Sequence, residues 1–311
     1  MLRQFGPYKP WGGVVNARFG CMQVSGMNNR VERLTIVGGG TAGWLSSLIF
    51  STYLNRFRSG PPVEITVIES PTIPTIGVGE STIISLPRLM QQMGMDEAEL
   101  FRRCNASFKL SVQFRNWSSD SNGRPVNFYH PFDRPAGIGA LPPAYHYLAF
   151  GPHHPALSFV DCVIPNSALV NARKGPRVLN AKNYDGAISY SYHLDAGLFA
   201  NFMRDAAVLR GIRHIRDDVL DVTLGENGAV SALQLKEAGH YPVEFVVDCT
   251  GYKSLIIDRL RTEPFVSFSD SILNDKAIPV QIPHRDPKKI EPCTRATALG
   301  DRKSTRLNSS H

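Results

Sequence analysis

The segment Val31-Glu32-Arg33-Leu34-Thr35-Ile36-Val37-Gly38-Gly39-Gly40-Thr41-Ala42-Gly43-Trp44 constrains this chain more than any other. A short apolar strand runs directly into G-x-G-x-x-G, and a helical pattern follows. Gly38 makes the tight turn, Gly40 lets a pyrophosphate approach the backbone, and Gly43 lets the helix pack close to the strand. Thr41 and Ala42 open the helix, and free N–H groups at its positive end suit a phosphate. The pattern predicts strand 33–37, helix 41–57 and strand 63–69, with Gly60-Pro61-Pro62 as the turn. Glu69 ends the second strand, where a carboxylate can bind the ribose hydroxyls of an adenosine. A glycine turn without a ligand is the bland alternative, and the strand, helix and acid together argue against it.

With 311 residues, 42% hydrophobic and 20% charged, the chain is long enough for one large α/β domain or two smaller ones, with a sizeable core. No apolar run reaches transmembrane length and no signal peptide is evident, so the reading is a cytoplasmic protein without a membrane partner. Cys21, Cys104, Cys162, Cys249 and Cys293 are scattered and odd in number, which suggests neither a disulfide framework nor a zinc site. Of the net charge of +7, the tail from Asp301 to His311 supplies +2, from three Lys/Arg and one Asp. The remainder is spread without a basic block, so the reading is attraction of anionic ligands and no nucleic-acid partner.

Residues 1–30 are rich in Gly, Pro and Asn and show no period. They read as a disordered arm or an over-extended gene start, with Met27 as the true first residue. Residues 70–80 form a Pro- and Gly-rich loop, and Ser81 onward reads as a helix that Pro87 kinks or breaks. Asp96 is an N-cap for a helix through about Cys104. Residues 107–117 alternate, with Phe108, Leu110, Val112 and Phe114 on one face and Lys109, Ser111, Gln113 and Arg115 on the other. That predicts one half-buried strand with Lys109 on its solvated side. Residues 120–175 read as a long irregular stretch lining a site. Asp195 caps a helix ending at Gly211, whose core face is Leu198, Phe199, Phe202, Met203, Ala206 and Ala207. Strands are predicted at about 212–216, 219–224, 229–235 and 243–248, and weakly near 277–282 and 295–299. His153 and His154 lack a partner at ligand spacing and read as surface loop, so no metal is expected. His193 precedes an N-cap and reads as structural.

The strand Val246-Val247-Asp248-Cys249-Thr250-Gly251 ends in an acid and a glycine turn. Alone this is a common strand end. Beside the first fingerprint it favours FAD over NAD, with Asp248 and Gly251 returning the chain to the cofactor and Val219 placing backbone against the adenine.

Taken in order, several segments resemble the flavin-dependent tryptophan halogenase family. They are Gly38 to Trp44, Ile76-Gly77-Val78-Gly79-Glu80-Ser81-Thr82, Arg103 to Lys109, Phe114-Arg115-Asn116-Trp117, Phe128-Tyr129-His130-Pro131-Phe132, Tyr192-His193-Leu194-Asp195-Ala196, Leu273 to Ala277, and Glu291-Pro292-Cys293-Thr294. The resemblance implies an FAD-binding Rossmann-like domain of the two-dinucleotide-binding, aromatic hydroxylase type, with additional mixed β-sheet. It makes the loop from Ile76 through Gly77, Val78, Gly79 and Glu80 to Thr82 a flexible strap contacting the flavin. It makes Lys109 the active-site lysine. In the implied reaction FADH2 from a separate flavin reductase meets O2, the flavin hydroperoxide oxidises halide, and the hypohalous acid passes to Lys109. An electron-rich ring, tryptophan or indole-like, then takes the halogen. A homodimer is left open.

The family carries W-x-W-x-I-P soon after E-P-x-T, whereas this chain reaches Gly300 and then an unpatterned polar tail. The expectation is that 31–300 is an incomplete halogenase domain, that 301–311 is a sequencing or vector artefact, and that halogenation is weak or absent. An FAD-dependent aromatic hydroxylase and an inactive flavin-binding fragment are the alternatives.

Overall fold

The computed structural model describes residues 30–56, 58–74, 79–133, 141–154, 158–272 and 290–298, with positions 139, 276, 278, 280, 282 and 286. The chain divides into two units, Met1–Val31 and Glu32–His311, and every element below belongs to the second. The expectations for residues 1–29 and 301–311 lie outside the described residues.

The opening unit forms as the fingerprint requires: β1 (Arg33–Val37), α1 (Thr41–Arg56) and β2 (Glu64–Glu69). Next come β3 (Glu80–Ser81), α2 (Ser85–Gln92), α3 (Glu97–Arg103), β4 (Ser107–Lys109), β5 (Ser111–Ser119) and β6 (Pro125–Pro131). Three short helices follow: α4 (Pro143–Phe150), α5 (Phe159–Val163) and α6 (Asn166–Asn171). The chain continues with β7 (Ser191–Leu194), α7 (Ala196–Leu209), β8 (Arg213–Arg216), β9 (Val219–Leu224), β10 (Val230–Leu235), β11 (Gly239–Pro242) and β12 (Phe245–Asp248). It closes with α8 (Ile257–Leu260) and β13 (Cys293–Thr297).

Four sheets result. The parallel sheet has the order β12-β1-β2-β8, with Ile36 opposite both Val247 and Val67. Its two central strands are almost continuous apolar runs because both faces are covered, the usual state of a parallel sheet. On one face Trp44 and Leu48 of α1 pack with Phe199, Phe202 and Met203 of α7 in the main core. Elsewhere Val37 and Ile68 pack against Val222, Leu233 and Leu235 of the antiparallel β11-β10-β9 sheet. The remaining sheets are antiparallel β3-β7-β4, and mixed β13-β5-β6, in which β13 runs parallel to β5.

Both predicted caps form. The Asp96 carboxylate accepts from Glu99 N at 2.7 Å, and Asp195 accepts from Leu198 N at 2.8 Å. Leu198 is the exception on the predicted α7 face, sitting at the rim rather than in the core.

Three expectations are corrected. Ser81 does not start a helix: it ends β3, and α2 begins at Ser85 with Pro87 buried in its first turn, where a missing N–H costs nothing. The alternating stretch 107–117 is not one strand. Leu110 breaks it, because its N–H donates to Pro292 O at 2.9 Å and its carbonyl accepts from Asn166 Nδ2 at 2.9 Å. β4 and β5 therefore join different sheets. Residues 120–175 are not irregular throughout: among the described residues they hold β6 and α4–α6. The strand expected near 277–282 lies largely outside the described residues, and the one near 295–299 is β13.

Candidate functional site

The glycine turn sits at the carboxyl ends of β1 and β2, opening α1. Gly38 has φ of +116°, and a Cβ there would overlap the Cys249 carbonyl at the end of β12. A Cβ on Gly43 would overlap the Gly38 carbonyl, which is the close helix–strand packing expected of it. Gly39, a free position in the motif, is as constrained: its Cβ would overlap the Glu69 side chain. The run of three glycines was the available signal for it. Trp44 N donates to Gly40 O at 3.1 Å, so the N–H groups of Thr41, Ala42 and Gly43 precede the first intrahelical bond. No acidic residue lies in that first turn to offset the helix dipole. A side-chain-free turn ending on N–H groups that the helix ladder does not use fits a pyrophosphate.

Glu69 lies where the sequence put it, half-buried beside the turn. Its Oε2 is 2.7 Å from Nε2 of His214 on β8, an ion-pair distance without hydrogen-bond geometry. His214 packs edge-on against Trp44, centroids 4.8 Å apart. Nothing in the sequence pattern of 212–216 singled it out. Val219, at the start of β9, packs with the cluster around Val37 and Ile68. Gly251 turns with φ of +65°. Asp248 is at the predicted strand end, but its carboxylate is occupied within the chain. It accepts from Thr250 N and Oγ1 at 2.9 and 2.6 Å, and from Ile256 N and Ile257 N at 3.0 Å. Burial pushes this carboxyl up, but those donors outweigh it and hold it below the ordinary value. What β12 offers the turn is the Cys249 carbonyl.

Lys109 corrects the alternation. Only 4% exposed, it is among the buried charged residues instead of on a solvated face. Its Nζ donates to Thr82 O at 2.8 Å and to Ser81 O at 3.4 Å, and lies 5.3 Å from the Phe132 ring centroid. Burial pushes its pKa down, with the nearby Cys293 acting weakly the other way. Around it, the Thr82 hydroxyl meets Ser191 Oγ at 2.6 Å, and Thr294 Oγ1 lies 2.5 Å from Ser81 Oγ and 2.8 Å from His193 Nε2. Of the expected strap, Glu80 and Ser81 form β3 in the Lys109 sheet, with Gly79 and Thr82 on either side; Ile76, Gly77 and Val78 lie outside the described residues.

Behind this corner, Glu97 is fully buried and accepts from Tyr190 and Tyr192 hydroxyls at 2.6 and 2.7 Å and from Tyr184 N at 2.6 Å. Arg177 neutralises it at 2.6 Å. Sequence reading missed this cluster, since Glu97 looks like an ordinary first-turn acid. A cavity of about 660 Å³ lies at the amino end of the parallel sheet, near Arg33 and Arg213, and one of about 630 Å³ lies between α2 and residues 184–190. Neither includes Lys109 or the glycine turn. His153 and His154 are exposed, and no metal-binding group of His, Cys, Asp and Glu occurs among the described residues. Among them, too, no helix is long and apolar enough to cross a membrane.

A parallel sheet with a glycine turn feeding a helix, joined to an antiparallel sheet that carries a buried lysine, defines a Rossmann-like α/β fold. More narrowly, the chain belongs to the tryptophan halogenase family, whose model matches residues 33–301. It is 34% identical over 287 residues to a tryptophan 6-halogenase of Streptomyces albogriseolus, covering 88% of this chain and 52% of that protein. It superposes on a tryptophan halogenase of Shewanella frigidimarina with TM-score 0.78 and 32% identity, over 87% of this chain and 52% of that one. A flavin-dependent tryptophan C-6 halogenase (a chlorinase) from taromycin biosynthesis gives TM-score 0.73 and 34% identity, over 86% and 52%. The chain spans about half the length of the curated relatives it matches.

Proposed function

We propose that this chain carries the flavin site and the reactive amine of an FADH2-dependent halogenase acting on an electron-rich aromatic ring, tryptophan or indole-like. The observation that carries the reading is Lys109: a buried lysine with a lowered pKa, against an aromatic ring, in a chain of this family. Bound FADH2, supplied by a separate reductase, would provide the reducing equivalents with which O2 converts halide to hypohalous acid. The N–H groups opening α1 and the turn Gly38–Gly43 would hold the pyrophosphate, Glu69 the ribose, and backbone at Val219 the adenine.

Lys109 then handles the oxidised halogen. Its neutral amine displaces water from hypohalous acid, forming an N–halogen bond and releasing H2O. The substrate ring takes that halogen, losing a ring proton, and the amine is restored. Desolvation favours the neutral, nucleophilic amine. The carbonyls of Ser81 and Thr82 fix where its nitrogen sits.

The test is a pair of measurements on the 311-residue chain. Flavin fluorescence gives FAD affinity. A reaction with flavin reductase, bromide or chloride, and tryptophan or indole gives halogenated product and its rate. Lys109→Met is expected to bind FAD as the parent does and to give no product. Product at the parental rate would overturn the role of Lys109. A hydroxylated product formed with NAD(P)H and no reductase would replace the reading with a hydroxylase.

A further inference from the structure

The two carbonyls that hold Lys109 belong to β3, a short edge strand of the β3-β7-β4 sheet, and the residue that follows it. β3 is two residues long and both are exposed. Thr82 is secured on one side, its N–H and hydroxyl both donating to Tyr192 O at 2.9 Å. Ser81 is secured differently. In register with His193 across the strand pair, it meets Thr294 through its hydroxyl. Thr294 in turn meets the His193 ring. One hydroxyl therefore joins three strands: β13 by its backbone, β3 through Ser81 and β7 through His193. Thr294 is itself anchored beside β5, in register with Val112. A threonine hydroxyl has one hydrogen and two lone pairs, so it can serve both neighbours at once.

We propose that Thr294 is a positioning residue for Lys109: by bridging Ser81 and His193, its hydroxyl holds the Ser81 and Thr82 carbonyls against the lysine amine. This rests on Lys109 being the reactive amine, but the bridge itself can be read without turnover. Released carbonyls leave the amine less well held and more open to an external electrophile.

The experiment uses the full 311-residue chain without flavin or halide. It is exposed briefly to acetic anhydride at one fixed pH, and mass spectrometry measures modification of Lys109 against the exposed Lys174. Losing one hydrogen-bonded link changes an opening equilibrium by about fivefold. Thr294→Val is therefore expected to raise Lys109 acetylation by about that factor, and Thr294→Ser, which keeps the hydroxyl, to restore the parental rate. Ser81→Ala breaks the same bridge from its exposed end, so it should match Thr294→Val and stands in for it if that variant does not fold. The double variant should be no faster than either single one. Parental acetylation in Thr294→Val or Ser81→Ala, failure of Thr294→Ser to restore it, or multiplied effects in the double variant would overturn the proposal. Because no halogenation is measured, failure of the halogenase reading gives a different result from failure of the bridge.

Discussion

The glycine turn is made from six consecutive residues set between two strand ends, whereas the Lys109 corner draws its groups from β3, β4, β7 and β13. The first is shaped by exclusion: Gly38, Gly39 and Gly43 are each in van der Waals conflict with any added Cβ. The second is shaped by satisfaction. A buried ammonium finds two carbonyls, and a buried carboxylate behind it finds a guanidinium, two phenols and a backbone N–H. A site built by exclusion fails when something is added. A site built by satisfaction fails when something is removed.

That contrast can be tested from its largest expected effect downward. Lys109→Met should take halogenation, expected to be weak in the parent chain, below detection, and leave FAD affinity unchanged. In the parent, the rate should rise with pH as the amine loses its proton. Because burial lowers the Lys109 pKa, the midpoint should fall below the ordinary lysine value of about 10.4. A midpoint at or above that value in the pH–rate profile would show that the amine is not desolvated.

Glu97→Ala removes a charge that Arg177 and three other donors depend on. The expected loss is about 3–5 kcal/mol of stability by urea unfolding, since the half-buried Arg177 guanidinium loses its carboxylate and two buried phenols lose their acceptor. The Tyr192 strand lies next to β4, so Lys109 acetylation should increase in the same variant. Gly43→Ala adds one methyl group where none fits. It should cost about 3 kcal/mol and weaken FAD binding by fluorescence titration while leaving Lys109 acetylation unchanged. If both variants altered both readouts equally, the two regions would be one cooperative unit. Asp195→Ala provides the local reference, since loss of an N-cap should cost only about 1 kcal/mol and spare both readouts.

The sequence exposed the region ruled by local sterics far better than the region ruled by distant partners. Gly43, the positive φ of Gly38, the strand 219–224, and the caps Asp96 and Asp195 depend on neighbours a few residues away, and each was readable as a pattern, although the space at Gly38 is closed by the distant Cys249. Leu110 was not. Its break in the alternating strand comes from Pro292 and Asn166, which no window around residue 110 contains. The burial of Lys109 follows from that break, so periodicity alone put the side chain on the wrong face, and only the family resemblance flagged it. Gly39 and His214 were missed for a related reason: both owe their constraint to Glu69, which reaches them across the sheet.

The pairing of β13 with β5 also sets an order of assembly. Cys293 meets Ser111 across a separation of 182 residues. At ribosomal rates of about 5–20 residues per second, roughly 10–35 s pass between emergence of the two. During that interval the glycine turn already has β1, α1 and β2, while the corner around Lys109 lacks the strand that carries Thr294. The turn gains its last neighbour, Cys249, only 44 residues before Cys293 emerges, so both regions close late and the lysine closes last.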